Sequence, residues 1–69
     1  MREYKFNVGQ TVYAIGNDFD AVFVGKVTKR GFIDGNFNVY AVSNPKYKDE
    51  LFLEKDLISS ETAYAMIGN

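Results

Sequence analysis

Short β-prone runs, each closed by turn-forming residues, leave this chain little choice of architecture. Gln10 to Ile15, Ala21 to Arg30, Phe37 to Val42 and Tyr47 to Leu53 carry Val, Ile, Phe, Tyr and Leu, types that pack well on a pleated surface. Gly16-Asn17-Asp18 follows the first run and Ser43-Asn44-Pro45 the third. Proline cannot donate to a strand ladder, so the third run stops there. Asp34-Gly35-Asn36 spells a hairpin turn of the kind that needs positive φ. Lys29-Arg30-Gly31 is expected to leave the second strand, and Gly25 lies inside it. Glycine within a strand marks a bulge, a bend or a close backbone approach, and a small closed sheet needs such a bend. The pattern predicts a mainly β, antiparallel fold.

Length narrows this further. Sixty-nine residues make one domain, residues 1–69. A chain this short buries only about 60% of the surface its unfolded form exposes. The sequence has no Cys and no His, so disulfides and Cys/His zinc sites cannot staple it. Stability must come from a dense apolar core, from an oligomer, or from both. Six Phe and five Tyr favour the core, since each ring can bury about 150–250 Å².

The strands carry more apolar residues than one core can take. Alternate residues of a strand point to opposite faces, and a half-exposed sheet has one apolar and one polar face. Val22-Phe23-Val24 is apolar on both faces. So are Phe37 to Val42 and Leu51-Phe52-Leu53. The surplus must be covered by the chain's own ends or by a partner. At the start, residues 1–7 form a lead-in that Phe6 and Val8 anchor to the core. At the other end, Ser59 or Ser60 can cap a helix. Glu61 then sits in the first turn, where the helix dipole favours it, and Gly68 suits the position after the end. Ala63, Tyr64, Met66 and Ile67 supply the apolar side of a short helix at about 60–67, with a last strand as the alternative.

Little in the sequence supports catalysis. Ser43, Ser59 and Ser60 lack a base and a nucleophile-elbow context. Asp18/Asp20 and Asp49/Glu50 read as solvated loop or edge charges. Asp18-Phe19-Asp20 lacks the further ligands of a calcium loop, and no glycine motif cradles a phosphate. We expect no enzyme, no cofactor and no metal. Eight basic against nine acidic residues, net −1, do not make the footprint of a protein that binds nucleic acid by charge alone. Lys26, Lys29 and Arg30 followed by Phe32, with Phe37 and Tyr40 beyond, still form the basic–aromatic interleaving of single-strand binders. A nucleic-acid-binding surface is the second functional reading.

The spacing of the whole chain resembles a Tudor-type SH3-like barrel, as found in bacterial and phage small proteins. The resemblance rests on Val8-Gly9-Gln10-Thr11-Val12-Tyr13-Ala14, the Asp18/Asp20 loop, Phe23-Val24-Gly25-Lys26-Val27, Tyr40 to Tyr47, and Lys55-Asp56-Leu57, across about residues 8–58. It implies a five-stranded antiparallel barrel followed by the short helix, with Glu54-Lys55-Asp56-Leu57 as the single helical turn before the last strand. Tudor readers hold methylated Arg or Lys in an aromatic cage. Phe23 and Tyr47 correspond to two walls, and Phe19 could substitute for a third. That third family aromatic, at the end of the first strand, falls near Gly16, so the resemblance implies an open groove of Phe19, Phe23, Tyr40 and Tyr47. A groove of that kind takes a protein or peptide partner.

The first functional reading is therefore a non-enzymatic interaction module that binds a protein or peptide, a second copy included. A phage-type inhibitor of a host enzyme is a further variant of it. The first residues lack the apolar run of a signal peptide and no run reaches the roughly 20 residues of a membrane span. The sequence predicts a soluble, cytoplasmic protein.

Overall fold

The computed structural model describes residues 2–16 and 21–67, with the backbone alone for Tyr47, Lys48 and Ile67. Five strands are followed by a helix: β1 (Thr11–Ile15), β2 (Ala21–Ile33), β3 (Phe37–Asn44), β4 (Tyr47–Leu53), β5 (Leu57–Ser59) and α1 (Ser60–Ile67). A single 3-10 turn, Glu54–Asp56, precedes β5. All ladders are antiparallel and the strand order is β4-β3-β2-β1-β5. The ladder stays open between β4 and β5, which form its two edges. Among the described residues no helix is long and apolar enough to cross a membrane.

Turn chemistry sets the connections. Asp34 and Gly35 both adopt positive φ, 51° and 70°, as the hairpin requires. The second strand does not end at Gly31. It runs on to Ile33, because the turn lies three residues later. The third strand likewise continues to Asn44, one residue short of Pro45.

Two bulges bend β2. Val12 pairs with Gly25 and Tyr13 with Phe23, so Val24 is the extra residue. Gly25 has φ +145°, and a Cβ there would lie 1.8 Å from the Ser43 carbonyl oxygen. Only glycine lets β2 approach β3 so closely while it still pairs with β1. The second bulge lies between Val27 and Lys29. There the Thr28 hydroxyl donates to the Ala41 carbonyl at 3.2 Å.

Phe6, Val12, Val27, Tyr40, Val42 and Leu57 form one buried cluster, with Tyr4, Val24 and Phe52 packed against it. These side chains come from the N-terminal segment and from every strand, so the sheet curls around them. Each such side chain contributes about 1.5–3 kcal/mol when taken from water.

The N-terminal segment adds no strand; it closes the inner side. The Phe6 ring meets Tyr40 edge-on at 5.2 Å. Arg30 Nη1 donates to the Phe6 carbonyl and to Asn7 Oδ1, each at 3.3 Å. Val8 remains exposed, so of the two expected anchors only Phe6 is buried. Behind β1 and β5, α1 covers the outer side. The Ser59 hydroxyl accepts from the Thr62 N–H at 3.2 Å and so satisfies one free donor of the first turn. Ala63 is buried beneath the helix, and Ile58 nearly so.

Candidate functional site

Residues directly paired across a ladder share a face, and the register therefore defines the outer side of β2, β3 and β4. One rung holds Lys29, Ala41 and Leu51. The next holds Gly31, Val39 and Leu53, and the last pairs Ile33 with Phe37. The opposite side of the same strands carries Val27, Tyr40 and Val42 into the core. The outer side is apolar as well, and α1 lies elsewhere, against β1, β5 and β2. Leu51 is 75% exposed, Phe37 50% and Ile33 49%. A contiguous exposed patch of this kind marks an interaction surface more often than chance. Gly31 makes a shallow notch in it. A Cβ at Gly31 would touch only Val39 Cγ2, at 3.9 Å. Lys29 borders the patch on β2. Asp49 lies two residues before Leu51, where the β3–β4 ladder shifts register and β4 sets an extra residue opposite the outward Ser43.

A second surface surrounds Phe23. Tyr13 packs edge-on against it at 5.6 Å, and Tyr64 of α1 meets Tyr13 at 6.4 Å. A hydrogen bond with Tyr64 holds the Tyr13 hydroxyl above its ordinary value, with burial and the Tyr64 charge adding to it. Beside this aromatic row lies an open cleft lined by Val22, Phe23, Asn44, Pro45 and Lys46. Asn44 fastens its wall. Its Nδ2 donates to the Val24 carbonyl at 2.7 Å, and its Oδ1 accepts from the Lys46 N–H at 2.8 Å.

Of the expected aromatic groove, the described side chains are Phe23 and Tyr40. Phe23 lies on the surface, half-exposed. Tyr40 does not belong with it. That ring is fully buried, because β3 turns Tyr40 and Val42 inward. Phe19 and the Tyr47 side chain lie outside the described residues; the Tyr47 backbone pairs with Asn44 at the edge of the cleft.

No protein-family model, curated protein or solved structure matches this chain.

The basic set is divided between the two faces. Lys26 pairs with Thr11 and with Ser43, and with Lys29 it points outward. Thr28 is the extra residue between them, so lysines three apart share a side. Arg30 falls on the inner side. Its guanidinium lies 4.7 Å from the Tyr4 ring centroid and holds the N-terminal segment. Phe32 is capped by Arg2, whose guanidinium lies 4.1 Å from its centroid. Lys26, Lys29, Arg30 and Phe32 consequently present no single basic–aromatic surface, and Tyr40 cannot stack a base from within the core.

One polar cluster sits where the inner side ends. The Glu54 carboxylate accepts from the Tyr40 hydroxyl, from Asn38 Nδ2 at 2.9 Å and from the Lys5 N–H at 3.1 Å. Arg2 Nη1 donates to Asn38 Oδ1 at 2.9 Å. These bonds join the first residues of the chain to β3 and to the 3-10 turn. Their partners are one another, which makes the cluster a fastening.

The sequence marked Phe37 to Val42 and Leu51 to Leu53 as apolar on both faces, without choosing which face is surplus. It missed Ile33 and Gly31, which lie beyond the strand end expected at Arg30. The hairpin signal at Asp34 could have extended that strand.

Proposed function

We propose that the protein is a non-enzymatic interaction module that docks a protein partner on the outer side of β2, β3 and β4, on an SH3-like frame. The observation that carries this reading is the apolar surface on which Leu51, Phe37 and Ile33 are exposed and Val39 and Leu53, between them, are half-buried. The frame reading is supported by the strand order and by the single 3-10 turn ahead of β5. The Phe23 cleft is an accessory contact in this reading. Nucleic-acid binding finds less support, since Arg30 and Phe32 lie on the opposite side of β2 from Lys26 and Lys29 and contact Phe6 and Arg2.

Affinity capture tests the proposal, using wild-type protein and the Leu51→Asp variant in lysate of the native host, with and without nuclease. Nuclease-resistant capture of a defined protein, lost in the variant, is the expected result. Nuclease-sensitive capture that weakens steeply with salt would reverse the order of the two readings.

A further inference from the structure

We propose that the occupant of this outer face is a second copy of the chain, related by a two-fold axis parallel to β3. The inference rests on the reading of that face as the interaction surface and names its partner. A two-fold interface must be self-complementary, with each contact made twice. Rotation about an axis along β3 lays β2 of one copy over β4 of the other, at the ~10 Å spacing of packed sheets. The side chains on the face fit that operation.

Val39 and Ala41 lie on the axis and meet their own counterparts, and both are small enough for close approach. Gly31 shares its rung with Leu53. Rotation therefore places the notch at Gly31 under Leu53 of the other copy, on both sides of the axis. Lys29 shares its rung with Leu51. It meets Leu51 of the other copy, with Asp49 two residues further along β4, at its register shift. A lysine stem can lie on the leucine while its ammonium reaches the carboxylate. One cation and one anion on each copy are thereby paired.

Composition adds a reason. A sequence with no Cys and no His has no disulfide or Cys/His metal site to reinforce this small core, and association is another source of stability. Size limits the strength of the dimer. Three strands and three rungs make a flat footprint of about 300 Å², below the roughly 800 Å² per partner of a standard interface. The dimer therefore exchanges with monomer.

Sedimentation equilibrium on the full chain, from micromolar to millimolar concentration at low salt, tests this. Wild type should show a reversible monomer–dimer equilibrium. Lys29→Glu and Asp49→Lys should each weaken it by roughly tenfold, and the two together should restore it. Gly31→Val should weaken it while circular dichroism stays that of the wild type. A dimer indifferent to all of these uses another surface and overturns the proposal. A wild type that remains monomeric also overturns it. Binding of a hydrophobic dye then separates the two readings. Dye binding that Leu51→Asp removes leaves the face standing as a site for some other protein, whereas no dye binding ends both.

Discussion

The Tyr40 hydroxyl donates to the Glu54 carboxylate, and this bond ties the centre of β3 to the 3-10 turn that leads into β5. Burial first, and then this hydrogen bond, push the Tyr40 hydroxyl up to about 12. Burial alone would raise the Glu54 carboxyl. The bonds from Tyr40, Asn38 and Lys5 outweigh it and bring the carboxyl below its ordinary value.

The pair gives stability a defined pH dependence. Glu54 has a lowered value in the fold, so its contribution is complete above the ordinary 4.5 and is lost as pH falls through the folded value. Tyr40 has a raised value. Its contribution is complete below 10.0 and is lost as pH rises through about 12. Thermal melts against pH should show both slopes. Glu54→Gln should flatten the acid limb and Tyr40→Phe the alkaline one. Tyr40→Phe should also cost about 1–3 kcal/mol at neutral pH, as a hydrogen bond to a charged group is lost.

Phe6→Ala should be among the most damaging single changes. The ring is buried against Tyr40 from a segment that belongs to no strand. A Phe→Ala change in a core costs about 3–5 kcal/mol, against a total of about 5–15 kcal/mol for typical domains. Urea denaturation should show a midpoint lowered by a large fraction. Val8→Ala, at an exposed position, should leave the midpoint nearly unchanged.

Two glycines of one strand should respond in opposite ways. Gly25→Ala puts a Cβ against the Ser43 carbonyl in a backbone conformation that alanine resists, and the variant should fail to fold or melt far below wild type. Gly31 has room for a side chain, and glycine inside a strand is destabilising by roughly 0.5–1 kcal/mol. Gly31→Val should hold or raise the melting temperature.

The helix contributes through its cap and through Ala63. Ser59→Ala removes the acceptor for the Thr62 N–H and should cost about 1 kcal/mol. Removal of residues 60–69 uncovers Ile58 and Tyr13, so the shortened chain should melt lower and aggregate on concentration. Differential scanning calorimetry of both variants measures the two effects.

Local chemistry was legible in the sequence, and the choice of face was not. Asp34-Gly35 and the bend at Gly25 each depend on a few adjacent residues, and the sequence spells them directly; it narrows the cap to Ser59 or Ser60, while the turn at Glu54–Asp56 was implied by the resemblance. The side of β3 that faces the core depends on register. Tyr40 and Val42 compete there with Val39 and Ala41, and alternation alone cannot choose between two apolar sets. A bulge then reverses the alternation downstream of it. The extra residue Thr28 put Lys29 on one side and Arg30 on the other, which divided a basic set that looks continuous along the chain. The engagement of Arg2 and Arg30 with the rings of Phe32 and Tyr4 is likewise a long-range outcome that neither position announces.

β1 lies between β2 and β5, so Val12 pairs with Gly25 on one side and Ser59 on the other. The earliest strand thus waits for the latest one. During synthesis it can form a first hairpin with β2, but its second ladder cannot close until Leu57 to Ser59 have left the ribosome. Sheets joined by such distant pairings fold slowly. Through that interval the free edge of β1 and the core that Leu57 completes are open to any neighbour, and the chain is most vulnerable to aggregation before β5 arrives.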